Sequence, residues 1–182
     1  MTVGYWILLD MGEIFGTAIN RFCCQAIIGH PLTVYGVKGG QTRGYLTIED
    51  SMQCLTLAIT NPPVEGKHGT VNGYRTFNQF EELYSVNSLA TTVAEVATEI
   101  GLNAVVIGNV ENPRVEDEEH FYKPDHAHLL DLGYKPNHDL RGEVKKMFFD
   151  LIPHKKRIWK FRKTIMPKID FRGKKTDFDF IK

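Results

Sequence analysis

Helix-like and strand-like apolar patterns alternate along this chain of 182 residues. Between Ile14 and Ile28 apolar side chains recur with the period of a helix, and Gly29 and Pro31 then end that pattern. The next four residues, Leu32–Tyr35, are typical of a strand. Further helices are predicted to begin at Ser51, at Ser85 or Asn87, at Asp125 and at Asp139, with strands at 44–48, 74–80 and 104–107. This alternation favours an α/β fold over a helix bundle or a β-sandwich, with too few strands for a complete doubly wound domain.

The composition is that of a globular protein, with 42 % hydrophobic and 24 % charged residues. No apolar run is long enough to span a membrane, and the first residues lack the basic segment of a signal peptide. Cys23, Cys24 and Cys54 are an odd number of cysteines, two of them adjacent, so we expect buried thiols and no disulfide framework. Buried thiols are typical of a reducing compartment, which predicts the cytoplasm, or the plastid stroma in a photosynthetic eukaryote.

A net charge of zero conceals a strong asymmetry. Residues 141–182 hold 14 of the 22 basic residues and 5 acidic ones, so this segment carries +9 and the rest of the chain carries −9. Within it, KKRIWKFRK at 155–163 mixes aromatic and cationic side chains. Such a segment could bind nucleic acid, but we expect that it packs against another subunit or a complementary half. We predict a basic tail at 153–182.

The glycine-rich stretch GVKGGQTRG, 36–44, raises the question of a phosphate-binding loop. In the dinucleotide-binding and P-loop motifs, the glycines connect a strand to a helix whose N-terminus faces the phosphate. Here a second apolar strand pattern, YLTI, follows the glycines, which predicts a strand–loop–strand element. Arg43 at the end of the loop is suited to an anion because a guanidinium can form two parallel hydrogen bonds with a phosphate. From spacing alone, an anion site and a purely structural turn both remain open.

Several segments resemble the C-terminal, substrate-binding part of extended short-chain dehydrogenase/reductases that act on nucleotide sugars. The broad signature is NRFCCQAIIGHPLTVYG followed by KGGQTRGYLTIEDSMQC. The narrower stretches EIFGTAINRFC, YRTFNQFEELYSVNSLA, NPRVEDEEHFY and IMP resemble one branch of that family, the UDP-sulfoquinovose synthases. The resemblance runs from about Leu9 to about Met166, and it leads us to predict a non-matching segment at 1–8 and a nucleotide-sugar domain at 9–152.

The resemblance implies a small mixed sheet with flanking helices, without the N-terminal Rossmann part of the family, and a site for a UDP-sugar such as UDP-glucose. Arg43, with Gln41 beside it, would bind the pyrophosphate. Thr33 and Val34 would contact the uracil through the strand backbone, and a loop with Arg114 and Glu116 would close over the phosphates and ribose. The residues expected next to the sugar and phosphate are Gly16, Thr17, Asn20 and Arg21.

Members of this branch use NAD to convert UDP-glucose and sulfite into UDP-sulfoquinovose. NAD binding needs a glycine-rich turn after an N-terminal strand, and the family's chemistry needs a Tyr-x-x-x-Lys pair. Neither motif occurs here, because none of the seven tyrosines has a lysine four residues on. We therefore assign no catalytic residue to this chain, attribute NAD to the intact family, and expect a Rossmann half or a second copy as partner. A piece of another UDP-sugar epimerase, dehydratase or decarboxylase and a non-catalytic binding module remain alternatives.

Two other groups of residues could in principle carry chemistry: a histidine-rich group that could bind a metal, and a pair of cysteines that could act as nucleophiles. His120, His126 and His128 lie near Glu118, Glu119 and Asp125, as metal ligands often do. His126 and His128, two apart at a predicted helix start, would point away from each other, so we favour exposed polar residues and no metal site. Cys23 and Cys24 lie within a predicted apolar helix, which argues against a reactive thiol.

Overall fold

The computed structural model of the chain describes residues 2–3, 17–36, 40–110, 124–137 and 139–165. Its strands are β1 (Thr2–Val3), β2 (Leu32–Tyr35), β3 (Thr42–Thr47), β4 (Glu82–Ser85) and β5 (Val106–Val110). Its helices are α1 (Ala18–Ile28), α2 (Ile48–Thr60), α3 (Val86–Glu99), α4 (Ala127–Asp131), α5 (Leu140–Leu151), α6 (Lys155–Lys160) and α7 (Arg162–Ile165), with a 3-10 turn at Ile152–His154. Strands and helices mix throughout, so the predicted α/β class is confirmed.

The described strands form two small sheets. In the first sheet β3 lies in the middle, parallel to β1 and antiparallel to β4. In the second sheet β2 and β5 form a parallel pair in which Leu32 lies opposite Val106. The predicted mixed strand pairing and flanking helices are therefore present. The division into two sheets depends on contacts between distant residues, which local sequence patterns do not reveal.

The larger core lies between α1, α3 and α5 and against β2. In α3 the side chains of Leu89, Val93 and Val96 are fully buried, and their spacing of three and four residues is the pattern that predicted this helix face. Removing one such side chain from water stabilises the fold by about 1.5–3 kcal/mol. The other large side chains buried in this core include Phe22, Ile27, Leu32, Val34, Val144 and Phe148.

Three predicted helix ends are confirmed. Gly29 ends α1 in the left-handed region with φ 74°, and its N–H donates to the Ala26 carbonyl oxygen. Oγ of Ser85 accepts from the Ser88 N–H at 3.0 Å at the start of α3. Oδ1 of Asp139 accepts from the Gly142 N–H at 2.6 Å at the start of α5. These oxygens satisfy N–H groups that have no partner within the helix.

Two sequence predictions are wrong in this part of the chain. α2 begins at Ile48, not after Ser51, because Oγ1 of Thr47 accepts from the Asp50 N–H at 3.0 Å and caps the helix one turn earlier. Residues 74–80 form no strand. The strand in this region is β4, Glu82–Ser85, because those residues pair with β3. Tyr74, Phe77 and Phe80 are of a residue type common in strands, but this segment pairs only through an isolated bridge between Tyr74 and Val71.

The first residues of the predicted basic tail are helical. α6 lies against α1, and Ile158 is 2 % exposed in the larger core. Residues 166–182 lie outside the described ranges. In the parts of the chain that the structure describes, no helix combines the length and the apolar character needed to cross a bilayer.

Candidate functional site

Five polar residues on α1, just before it and on β2 make two sets of side-chain hydrogen bonds. One set joins Thr17 and Asn20, the other joins Thr33 to Arg21 and Gln25, and the five are called here the α1–β2 cluster. All except Gln25 were predicted to bind substrate. The amide Nδ2 of Asn20 donates to Oγ1 of Thr17. Asn20 is 2 % exposed, and its Oδ1 has no hydrogen-bond partner among the described residues. A buried acceptor without a partner costs stability, so this oxygen is suited to accept from a hydroxyl or N–H group.

Arg21 connects the first turns of α1 to β2. Its Nη2 donates to the Thr33 carbonyl oxygen at 2.9 Å. Its guanidinium carbon lies 4.4 Å from the centre of the Tyr35 ring and 5.2 Å from that of Phe22. Stacking on aromatic rings and a main-chain hydrogen bond hold the guanidinium in place. The side chain therefore links the first turns of α1 to β2.

Gln25 is the member of the cluster that sequence reasoning missed. It is fully buried, its Nε2 donates to Oγ1 of Thr33 at 2.9 Å, and its Oε1 accepts from the Thr33 N–H at 3.2 Å. A glutamine within an amphipathic helix looks like a surface residue in sequence, so only the fold identifies this role.

These hydrogen bonds limit which atoms of β2 could contact a uracil, as the resemblance predicts for this strand. The N–H of Thr33 already donates to Gln25, and its carbonyl oxygen, which has two lone pairs, accepts from Arg21. Val34 is 1 % exposed and its side chain lies in the larger core. A uracil contacting this strand would therefore use main-chain atoms, and at Thr33 it would use the second lone pair of the carbonyl oxygen.

The second set of predicted residues lies on β3 and just before it. The Gln41 carbonyl oxygen accepts from the Val86 N–H at 3.2 Å, which ties the loop to the start of α3. Arg43 lies half-buried opposite Tyr84, and its Nη1 donates to the Thr42 carbonyl oxygen at 3.0 Å. Burial raises the pKa of Tyr45, and the nearby Arg43 guanidinium opposes that rise. The cation is therefore held on one face of β3 beside an aromatic ring.

The position after Arg43 has room only for a glycine, Gly44. A Cβ atom at this position would lie 2.8 Å from Cβ of Phe80, closer than side-chain atoms approach. The Phe80 side chain is 7 % exposed and packs against β3 at this point. The glycine therefore lets β3 and the loop before β4 come together, which positions the strand that carries Arg43.

The glycine-rich stretch is a strand–loop–strand element, as predicted. β2 ends at Tyr35, Gly36 follows with φ 90°, and β3 begins at Thr42. In the described ranges no strand enters a helix through a glycine-rich turn, since β3 passes into α2 at Thr47 and β4 into α3 at Ser85. These residues do not fit the phosphates of a dinucleotide, because no helix N-terminus follows the glycines.

Part of the predicted site lies outside the described residues. Gly16, Arg114 and Glu116 are among these, as are His120, Glu118 and Glu119 of the histidine-rich group. Of the predicted site, the structure describes the α1–β2 cluster, Val34 and the residues on and just before β3. α3 packs against α1, β2 and β4, so it supports both sets.

His126 and His128, the two histidines of the proposed metal group that the structure describes, make packing contacts. His126 stacks on Phe80 with ring centres 4.3 Å apart, and its Nδ1 lies 3.1 Å from the Phe80 carbonyl oxygen. The His128 ring fills the space beside Gly69. Oδ1 of Asp125 accepts from the Ala127 N–H at 2.9 Å. Across the described ranges, no three histidine, cysteine or acidic side chains are grouped as metal ligands would be.

The cysteines are buried free thiols, as predicted. Burial raises the pKa of Cys24 to about 12. Burial also raises the pKa of Cys23 well above its usual value, with the neighbouring Cys24 contributing. Burial, followed by the Asp50 charge, raises the pKa of Cys54 to about 11. A nucleophilic cysteine needs a lowered pKa and access to its substrate, so neither Cys23 nor Cys24 is suited to attack one.

Comparison with curated proteins finds relatives in sequence. The UDP-sulfoquinovose synthase of Sulfolobus acidocaldarius is 50 % identical over 163 residues, which are 90 % of this chain and 39 % of that protein. The chloroplastic UDP-sulfoquinovose synthase of Spinacia oleracea is 47 % identical over 163 residues, 90 % of this chain and 32 % of that protein. UDP-glucuronic acid decarboxylase 2 of Arabidopsis thaliana is 33 % identical over 151 residues. The chain thus spans well under half the length of these relatives. No family model matches it.

Solved structures share the fold at low sequence identity. An epimerase from Methanothermobacter thermautotrophicus has a TM-score of 0.61 at 18 % identity, covering 79 % of this chain and 39 % of that one. A UDP-glucuronic acid 4-epimerase mutant from Bacillus cereus, solved with UDP-4-deoxy-4-fluoro-glucuronic acid and NAD, has a TM-score of 0.57 at 20 % identity and covers 76 % and 40 %. The predicted resemblance is therefore confirmed: over nine-tenths of its length this chain is similar to UDP-sulfoquinovose synthases, and it has the fold of part of a nucleotide-sugar epimerase.

Proposed function

We propose that this chain is the UDP-sugar-binding part of an enzyme like UDP-sulfoquinovose synthase, which forms UDP-sulfoquinovose from UDP-glucose and sulfite with NAD. The observation that carries the proposal is the identity of 50 % and 47 % to two proteins of that name across 90 % of the chain. These relatives come from an archaeon and from a plant chloroplast, yet both match nearly the whole chain.

Arg43 is the described residue best suited to the pyrophosphate. It lies half-buried on β3, close to the glycine-containing loop. Its guanidinium would bind phosphate oxygens through parallel hydrogen bonds, beside Gln41. Arg114 would neutralise a second phosphate and Glu116 would accept from the ribose hydroxyls. Two cations for two phosphates match the charge of a UDP group.

The α1–β2 cluster would hold the other parts of the ligand. Thr33 and Val34 would contact the uracil through main-chain atoms. Thr17, Asn20 and Arg21, with Gly16 before them, would lie beside the sugar and phosphate. The buried Oδ1 of Asn20 supports this assignment, because an acceptor without a partner in the described part of the chain is suited to a sugar hydroxyl.

The binding of NAD and the reaction itself would belong to another part of the enzyme. The described residues do not fit a dinucleotide, and the sequence contains no Tyr-x-x-x-Lys pair. We therefore assign no step of the reaction to this chain. By itself it should bind a UDP-sugar and convert none.

Calorimetric titration with UDP-glucose tests the proposal. The natural chain should show saturable binding, and Arg43→Ala should weaken it about tenfold or more, or about 1.4 kcal/mol. Arg141→Ala is the matched control, because Arg141 is an exposed arginine that pairs with Glu95 and Glu99 on α3. A chain that is folded by circular dichroism but binds no UDP-glucose would contradict the proposal, as would an Arg43→Ala variant that binds normally.

A second candidate is the corresponding part of a UDP-glucuronic acid decarboxylase, which the 33 % identity to the Arabidopsis protein favours. The same titration with UDP-glucuronic acid separates the two candidates. Binding of UDP-glucuronic acid about tenfold tighter than that of UDP-glucose would favour the decarboxylase. The opposite preference would favour the sulfoquinovose synthase.

A further inference from the structure

A two-residue turn between Val71 and Tyr74 consists of an asparagine followed by a glycine. The N–H of Val71 donates to the Tyr74 carbonyl oxygen at 2.9 Å, and the N–H of Tyr74 donates back at 3.0 Å, so the pair closes a short hairpin. Asn72 has φ 52° and Gly73 has φ 76°, both in the left-handed region that the favoured hairpin turn requires. Both turn residues are exposed to water.

The two residues of this turn can react with each other. Asparagine followed by glycine occurs nowhere else in the sequence. The main-chain nitrogen after an asparagine can attack the side-chain amide carbon, and glycine leaves that nitrogen accessible because it has no side chain. The N–Cγ bond forms, the Cγ–Nδ2 bond breaks, and ammonia leaves with the proton given up by the attacking nitrogen. Water then opens the cyclic imide to aspartate or isoaspartate.

The Glu65 carboxylate holds both main-chain N–H groups of the turn. Its Oε1 accepts from the Asn72 N–H and its Oε2 accepts from the Gly73 N–H, each at 3.2 Å. Glu65 lies seven residues before Asn72, so the folded loop makes this contact and a local turn does not. One of the two hydrogen bonds is therefore made by the nitrogen that would attack the Asn72 side chain.

This contact opposes the reaction for two physical reasons. The Gly73 nitrogen attacks only after it releases its acceptor, and a hydrogen bond to a carboxylate is stronger than one to a neutral group. The nearby negative charge also disfavours the negative charge that develops on the nitrogen as it loses its proton. We propose that Asn72 is a site of spontaneous deamidation and that Glu65 slows the reaction by holding the Gly73 N–H. This inference is independent of the proposed function.

The modification would disrupt the hairpin in which it occurs. Either product adds a carboxylate to the turn that the Glu65 carboxylate contacts, and like charges repel. Isoaspartate also adds one carbon to the main chain, so a two-residue turn no longer fits between Val71 and Tyr74. The next residue, Arg75, donates to the Asn61 carbonyl oxygen just after α2. Deamidation should therefore loosen the segment that connects α2 to β4.

The test follows position 72 of the full, folded chain under warm, mildly alkaline conditions. Peptide mapping by mass spectrometry measures isoaspartate at each asparagine, and anion-exchange chromatography measures the gain of negative charge. We expect isoaspartate at Asn72, formed about fivefold faster or more in Glu65→Ala. Asp150→Ala is the matched control, because it removes the same charge from an exposed position on α5 and should leave the rate unchanged. Asn72→Gln should abolish the signal at this position.

The same chains unfolded in urea separate the contact from the local sequence. There the natural chain and Glu65→Ala should deamidate at equal rates, because the two hydrogen bonds are absent. Four results would overturn the inference: no isoaspartate at Asn72 in either folded chain, an unchanged rate in folded Glu65→Ala, a slower rate in that variant, or an equal acceleration in urea. A slower rate would make Glu65 a general base that promotes the attack.

Discussion

The side-chain amide of Gln25 on α1 holds Thr33 on β2 at two points, one on its main chain and one on its side chain, and both residues are buried. A second glutamine makes the same kind of pair at the surface. Gln53 on α2 donates to the Lys135 carbonyl oxygen at 3.0 Å and accepts from the Lys135 N–H at 2.8 Å. The two pairs differ in their access to water, so comparing them shows how burial changes the contribution of such a pair to the free energy of unfolding.

Gln25→Ala should lower the free energy of unfolding by about 2–4 kcal/mol, because it leaves the Thr33 N–H buried without a partner, removes one hydrogen bond from the Thr33 hydroxyl and opens a cavity. Gln53→Ala should cost below about 1 kcal/mol, because water replaces both lost hydrogen bonds. Urea unfolding followed by circular dichroism measures both. Equal losses in the two variants would show that burial does not decide the contribution of these pairs.

Thr47 and Ser51 test where α2 begins. Thr47→Ala should lower the free energy of unfolding by about 1–2 kcal/mol, because Oγ1 of Thr47 caps the helix from a buried position. Ser51→Ala should change it by about 0.5 kcal/mol or less, since Ser51 lies within the helix, where alanine is favoured. The same unfolding measurement applies. A larger loss at Ser51 than at Thr47 would place the helix start where the sequence pattern had predicted it.

Ile158 tests whether α6 contributes to the fold. Ile158→Ala should cost about 2–4 kcal/mol, because it removes a buried side chain that packs in the larger core. Ile152→Ala, at a position 37 % exposed, is the control and should cost about 1 kcal/mol or less. Thermal unfolding of both variants gives the comparison. Unchanged stability in Ile158→Ala would mean that the folded domain ends before α6.

The Cys24 thiol should make the free energy of unfolding fall as the pH rises above about 9. Burial raises its pKa from 9.0 to about 12, so the folded chain keeps the thiol proton where the unfolded chain loses it. The contribution is fully present below pH 9 and is lost as the pH rises toward 12, at up to about 1.4 kcal/mol per pH unit. Cys24→Ala should therefore show a shallower loss of stability between pH 8 and pH 10 in urea unfolding. An unchanged slope would mean that Cys24 titrates alike in both states.

Local sequence patterns correctly predicted elements that begin or end beside a proline, a glycine or a helix-capping serine. β2 lies between Pro31 and Gly36, and α3 begins after a capping Ser85, so both were placed correctly. The predicted strand at 74–80 was wrong because strand formation depends on a partner, and the partner of β3 is β4. Pairing between residues some forty positions apart leaves no local signal.

The site is predicted less completely than the fold. Family resemblance pointed to Thr17, Asn20, Arg21 and Thr33, and the structure pairs Thr17 with Asn20 and Arg21 with Thr33 through hydrogen bonds. Their roles toward a ligand, like that of Arg43, stay predictions. Gln25 was missed because its importance comes from complete burial against Thr33, a property of packing that no motif expresses.

The contacts at Thr33 also satisfy the main-chain groups of a strand side that has no neighbouring strand. In the described residues β2 pairs only with β5, so no strand lies on its other side. An unpaired strand side is a template for aggregation. At Thr33, Gln25 accepts from the N–H and Arg21 donates to the carbonyl oxygen, so an incoming strand finds both main-chain groups already engaged. Two helix side chains thus take the place of a neighbouring strand.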